Sequence, residues 1–160
     1  IVEFDAGESH FRFRPLSVCG WLATMNVEYG QKYQPISLTI DSQLGDGADR
    51  IVASDYLLRI IFWNLWINAQ QAVQGECKIL VRATTQGRDI QLLLIDNGSG
   101  FPPEMVGVAL YERYSQNGVY RGRGLREVQD AVQKLRGKAR LEQCSSGEYR
   151  IMLSFPLEAQ

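Results

Sequence analysis

Apolar residues along the chain recur at two spacings, every second residue and every third or fourth, and the switches between them mark out the elements. Phe11 and Phe13 alternate with polar neighbours over residues 10–14, which predicts an edge strand. Val18, Trp21, Leu22 and Met25 fall on one side of a helix expected from Leu16 to about Tyr29. Ile36-Ser37-Leu38-Thr39-Ile40 alternates strictly and predicts a strand. A Gly/Asp loop at 43–49 leads to a short strand at 51–53. Ser54 or Asp55 then caps a long apolar helix expected to reach about Gln74, with Gly75 as its stop. Residues 77–84 and 89–95 form two strands joined by the turn Gln86-Gly87-Arg88. Pro102 and Pro103 open a short helix to about Leu110, and a polar, Gly-bearing stretch continues to Arg123. Leu125, Val128, Val132 and Leu135 repeat at helical spacing, and strands at 138–143 and 148–155 pair around Ser145-Ser146-Gly147.

Two or three helices thus face about five strands, most of them joined as hairpins. The expected architecture is an α/β (α+β) two-layer sandwich, a mixed, largely antiparallel sheet covered on one face by helices. The regular βαβ alternation of a doubly wound fold is missing.

Composition narrows the possibilities. The chain has 160 residues, 45% of them hydrophobic, which suits one domain with a real core. Its net charge of -1 gives no global field favouring nucleic acid or an anionic membrane. The basic residues of the second half lack interleaved aromatics, so they do not make a nucleic-acid surface. Cys19, Cys77 and Cys144 are widely spaced, with no CxxC pair or His cluster, and are expected as reduced thiols of a cytoplasmic protein. No apolar run reaches the roughly 18 residues of a membrane span, and no direct membrane contact is expected. The chain begins Ile1-Val2-Glu3 without Met and is expected to be a piece of a longer protein.

Three segments carry candidate chemistry. Asn64 and Asn68 lie four apart on the long helix and share a face, where an amide oxygen suits Mg²⁺ that takes its other ligands from water and phosphate. Asp96 ends the apolar strand Leu92-Leu93-Leu94-Ile95, where a carboxylate can accept from the exocyclic amine of adenine and would find its partner in the ligand. Gly98 and Gly100 follow, letting a flat base lie against the backbone. Gly122-Arg123-Gly124-Leu125 precedes an amphipathic helix, whose free N–H groups and dipole attract phosphate, with Arg121 and Arg123 able to add charged contacts.

Taken in order, these segments make the chain resemble the catalytic, ATP-binding domain of sensor histidine kinases, within the wider ATPase group (GHKL, the Bergerat ATP-binding fold) shared with gyrase, Hsp90 and MutL. Asn64-Leu65-Trp66-Ile67-Asn68-Ala69 looks like the N box and Asp96-Asn97-Gly98-Ser99-Gly100 like the G1 box. Tyr111-Glu112-Arg113-Tyr114 is similar to the F box and Gly122-Arg123-Gly124-Leu125 to the G2 box. The end of the chain resembles the family's closing hairpin, so the likeness spans nearly all of it. The resemblance implies one ATP-binding catalytic domain over 1–160. Asn68 would ligate Mg²⁺, and Asn64 would support phosphates or a metal-bound water. Asp96 would read adenine between Gly98 and Gly100. Gly122, Gly124 and the amide of Leu125 would meet the phosphates, and residues 102–121 would include a lid over ATP. The implied partners are a phosphoacceptor histidine domain, in the parent chain or another protein, and a response regulator. His10, the sole histidine, sits at a strand entrance rather than on a helical hairpin and does not fit the acceptor. Trp63 and Trp66, beside the N box, are expected to report ligand binding by fluorescence.

Particular positions separate this chain from some relatives. Where the hydrolysing members carry a glutamate, four residues before the metal-binding Asn, this chain has Asn64, which cannot take a proton at neutral pH. Transfer to an imidazole needs no such base, because the neutral ring is already a nucleophile. Gln71-Ala72 resembles the nitrogen-regulator branch. Arg126 replaces a further glycine of the G2 box, the stretch from F box to G2 box is short, and Leu135-Arg136-Gly137 stands for the usual His-Gly-Gly. The alternatives these features leave are a kinase-fold regulatory module that acts by binding a partner and an ATP-hydrolysing switch.

Overall fold

A computed structural model describes residues 11–105, 115–116, 119–120 and 123–159, with Ser115, Gln116, Val119, Tyr120 and Arg123 in backbone only. In chain order the elements are β1 (Phe13–Ser17), α1 (Val18–Lys32), β2 (Ser37–Ser42), β3 (Arg50–Ser54), α2 (Asp55–Ala72), β4 (Lys78–Gln86), β5 (Asp89–Asp96), β6 (Ser115–Gln116), β7 (Val119–Tyr120), α3 (Arg123–Lys134), β8 (Lys138–Gln143) and β9 (Tyr149–Pro156). A 3-10 turn lies at Pro103–Met105.

The main sheet has the order β2-β4-β5-β9-β8. Its β2–β4 pair is parallel, while β4–β5, β5–β9 and β8–β9 are antiparallel. The mixed, largely antiparallel sheet expected from the hydrophobic pattern is the one found. Alternate residues along β4 and β5 are buried, Ile79, Val81 and Ala83 on β4 and Ile90, Leu92 and Leu94 on β5. Register aligns these rows, with Val81 opposite Leu94 and Leu94 opposite Ile151. They join one core with Val18, Leu22, Met25 and Tyr29 of α1 and Leu125, Val128 and Val132 of α3.

The helix α2 lies at the centre of that core. Leu57, Leu58, Ile61, Phe62, Trp63, Leu65 and Trp66 are all at most 5% exposed. At about 1.5–3 kcal/mol for each large apolar side chain removed from water, this burial far outweighs helix propensity. Its N-cap is Ser54, whose hydroxyl accepts from the amide of Leu57. The helix ends at Ala72, earlier than expected, because Val73 is already extended, and Gly75 lies in the following loop at φ +87.

Two other boundaries differ from expectation. Phe13–Ser17 is the strand, rather than residues 10–14, and it pairs antiparallel with β3 in a separate two-stranded sheet. Residues up to His10 lie outside the described residues. Helix α1 begins at Val18 rather than Leu16, because Ser17 is the N-cap and accepts from Gly20 N. The Ser17 hydroxyl also donates to Asp49 Oδ2 at 2.6 Å, and Cys19 N donates to the same oxygen at 3.0 Å. Asp49 thus closes a helix start that lies 32 residues away in sequence.

Within the stretch expected to be a lid, β6 and β7 pair antiparallel as a two-residue ribbon. The rest of the helix proposed to run from Pro102 to Leu110 lies outside the described residues. No helix among the described residues is long and apolar enough to cross a membrane.

Candidate functional site

A cleft of about 720 Å³, its open mouth included, lies between α2, the ends of β4, β5 and β9, and the start of α3. Leu65, Asn68, Ala69 and Ala72 line it from α2, Ile79 from β4, Leu94 and Asp96 from β5, and Arg150 and Ile151 from β9. Gly100 and Phe101 add a loop wall and Leu125 the α3 side. The walls are mostly apolar with a few polar groups converging, which is how a site for a flat organic ligand is built.

The main polar feature is a charge pair. Asp96 Oδ1 accepts from Gly98 N at 2.7 Å and from Arg150 Nη1 at 3.1 Å. The second terminal nitrogen of Arg150 donates to the Gly98 carbonyl at 2.8 Å. The Arg150 side chain is 8% exposed and that of Asp96 23%. Arg150 Nε finds no hydrogen-bond partner among the described residues and lies 3.8 Å from Glu148 Oε1. A carboxylate whose partner was expected to be the ligand therefore has a protein partner, supplied by the last strand. Arg150 was not among the residues singled out from sequence. Its signal was a lone charge inside the apolar run 149–155.

Backbone geometry fixes the loop after β5. Phe101 N donates to Tyr149 O at 2.9 Å, joining the loop to the first residue of β9. Gly100 sits at φ +81, and a Cβ there would lie 2.8 Å from Tyr149 O. Asn97 ties the same loop to the α2–β4 connection, accepting from Lys78 N and donating to Glu76 O, each at 2.9 Å. Gly98 does not line the cleft. It packs behind Asp96, where a Cβ would come 3.1 Å from Ala72 O.

The two amides expected on one face of α2 have different surroundings. Asn68 lines the cleft. Asn64, one turn earlier, is 2% exposed, donates to Ile60 O at 2.6 Å and does not line it. A Cβ at Gly124 would lie 3.2 Å from Asn64 Oδ1, so the first turn of α3 rests on this amide. Leu125, 2% exposed, reaches the cleft from that turn. Arg126 is exposed and does not line the cleft. Arg121, Gly122, the side chain of Arg123 and Tyr111 to Tyr114 lie outside the described residues.

Neither Trp63 nor Trp66 lines the cleft. Trp63 packs edge-on against Tyr29, and the Trp66 indole donates to Asn26 Oδ1 at 3.0 Å, both partners on α1. Their fluorescence is placed to report folding rather than ligand. Cys77 is 3% exposed beside the cleft, and burial first, then the Asp96 charge, push its thiol up to about 11. It is therefore not a nucleophile at neutral pH. Among the described residues no cluster of three or more His, Cys, Asp or Glu could hold a metal ion.

Comparison with known proteins gives one consistent result. The sequence profile of the histidine kinase-, DNA gyrase B- and HSP90-like ATPase family matches residues 54–159. Sensor protein CitS of Bacillus subtilis is 34% identical over 111 residues, which cover 68% of this chain and 20% of that protein. A protein named as an NtrY-like sensor histidine kinase, from Rickettsia bellii, is 31% identical over 97 residues, or 59% of this chain and 16% of its own length. The chain thus spans about a fifth or less of these relatives. The mycobacterial sensor histidine kinase MprB superposes with a TM-score of 0.71 at 17% identity, over 93% of this chain and 100% of that one. The ATP-binding domain of PrrB from Mycobacterium tuberculosis superposes at 0.66 and 22% identity, over 92% and 98%. These likenesses establish the fold.

Proposed function

The chain belongs to the histidine kinase-, DNA gyrase B- and HSP90-like ATPase family, and from that membership and the cleft we propose that it is the ATP-binding catalytic domain of a two-component sensor histidine kinase. It would position Mg-ATP so that the γ-phosphoryl passes to a histidine on a separate dimerisation and phosphoacceptor domain, from which a response regulator draws it. The observation that carries this reading is the convergence of Asn68, Asp96, Gly100 and Leu125, from three separate segments, on one largely apolar cleft.

Each group has a task its chemistry suits. Asp96 accepts from the exocyclic amine of adenine, and Ile79, Leu94, Phe101 and Ile151 cover the ring's faces and edges. The free N–H groups at the start of α3 meet phosphate. Asn64 acts through Gly124, holding that start in place. A lone amide, with no acidic cluster among the described residues, suits Mg²⁺ delivered with the nucleotide rather than a resident ion. Asn68 would hold it, and when bound it supplies charge neutralisation on the transferring phosphoryl group. With Asn64 in place of a general base, the protein's contribution to transfer is positioning. A degenerate site would be favoured by an arginine crowding the cleft, but Arg126 is exposed and does not line it.

Calorimetric titration with a non-hydrolysable ATP analogue, with and without Mg²⁺, tests the binding half. Saturable, Mg²⁺-sensitive binding is expected. No binding at millimolar ligand would overturn the proposal. The transfer half is tested by incubating the chain with Mg-ATP and separately produced acceptor domains, in which an acid-labile, base-stable phosphoryl-histidine is expected.

A further inference from the structure

Arg150 is a buried cation in contact with the carboxylate to which the proposed function assigns base recognition, yet it lies outside the N, G1, F and G2 boxes. Resting on that nucleotide reading, we propose that Arg150 is a positioning residue for purine selectivity. By pinning Asp96, it makes the cleft accept a 6-amino purine and reject a 6-oxo purine.

The geometry supports this in two ways. Asp96 Oδ1 is held by two donors, Gly98 N at 2.7 Å and Arg150 Nη1 at 3.1 Å. Oδ2 makes no hydrogen bond to the described residues, and an ionised carboxylate only accepts. A 6-amino group can donate to Oδ2. A 6-oxo group would set its own lone pairs against it, and its ring N–H would not lie in the same place. The χ2 torsion of an aspartate is soft, so with Gly98 N alone the carboxylate can swing and admit a bridging water, which would serve a 6-oxo purine as well. The second donor, from a side chain that is itself pinned to Gly98 O, removes that freedom.

Direct reading of the base by Arg150 predicts the opposite preference. A free guanidinium fork pairs with O6 and N7 of guanine. Here each terminal nitrogen already gives one of its two N–H groups to the protein, one to Asp96 and one to Gly98 O, Nε lies 3.8 Å from Glu148 Oε1, and the side chain is only 8% exposed. The side chain is left to act through Asp96.

The test compares ADP with IDP, which differ at the purine 6-position, by titration into the 160-residue chain and its Arg150→Gln and Arg150→Lys variants. The parent is expected to prefer ADP by about ten- to a hundred-fold, the scale of one hydrogen bond to a charged group. Arg150→Gln should lose most of that ratio, chiefly through weaker ADP binding. Arg150→Lys, which keeps one charged donor, should be intermediate. Equal weakening of both nucleotides would make Arg150 merely structural, and a selective loss of IDP would make it a direct reader. Either result overturns the proposal. If Arg150→Gln does not fold, Arg150→Lys decides: a reduced preference supports the proposal and an unchanged one overturns it. A parent that binds neither nucleotide overturns the nucleotide reading itself. A parent that binds both equally leaves that reading standing and removes the selectivity.

Discussion

Replacing Gly100 with alanine combines two costs that the structure keeps separate elsewhere. At φ +81 an L-residue pays for the left-handed conformation, about 1–2 kcal/mol. The new Cβ would also lie 2.8 Å from Tyr149 O and 3.2 Å from the Cβ of Glu148. Tyr149 O cannot retreat freely, because it accepts from Phe101 N at 2.9 Å in the bond that ties the loop to β9. Overpacking of this kind costs about 1–3 kcal/mol more. Gly87→Ala is the control, since Gly87 has φ +61 with nothing within 4 Å of a built Cβ, and so carries the conformational cost alone. For a chain of this size each 1 kcal/mol lowers Tm by about 2–4 °C. Gly87→Ala should therefore melt about 2–8 °C below the parent, and Gly100→Ala about 4–20 °C below it. Thermal melts followed by tryptophan fluorescence suit the comparison, because Trp63 and Trp66 lie in the core away from the cleft. ADP affinity gives a second readout, since Gly100 is a cleft wall and Gly87 a distant hairpin turn. Equal melting of the two variants, or parental ADP binding by Gly100→Ala, would refute the close approach as the reason for glycine.

Asp96→Asn should weaken adenine nucleotides and also destabilise the free protein by about 1–3 kcal/mol, because it removes the counter-charge of a buried arginine; an unchanged denaturant midpoint would mean the pair contributes nothing. Asn68→Ala should abolish the Mg²⁺ dependence of ATP affinity and leave the Tm of the free chain within a few degrees, and a retained dependence would discard the ligand role. Burial pushes the Asp49 carboxyl up, but the hydrogen bonds from Ser17 and Cys19 outweigh it and hold the group below its ordinary value. A carboxyl lowered by folding adds stability above its unfolded pKa, about 3.9, and loses it as pH falls through the lower folded value. Asp49→Asn should therefore cost about 1–3 kcal/mol at pH 7, with the gap to the parent narrowing below pH about 4; a gap constant down to pH about 3 would remove the carboxylate from the account of the α1 cap.

What the chain makes legible on its own is what repeats locally. The alternation in β4 and β5, the glycine turn between them and the apolar length of α2 each depend on neighbours a few residues apart. These were enough to predict the layered fold, the mixed sheet and the three motif segments. The start of α1 is less legible, because Ser17 acts with Asp49, whose position in space depends on β3 leading back past β1. The two amides of α2 look equivalent at a spacing of four. Packing of α3 covers Asn64 with Gly124 and leaves Asn68 at the cleft. Arg150 is the sharpest case. The lone charge in an apolar run is its only local mark, and its partner lies 54 residues earlier. The antiparallel pairing of β5 with β9, with Leu94 opposite Ile151, brings the end of one strand to the start of the other. That register is set by the burial of whole rows of side chains between sheet and helices. It places a buried cation on Asp96 as a consequence of the fold, which no local pattern encodes.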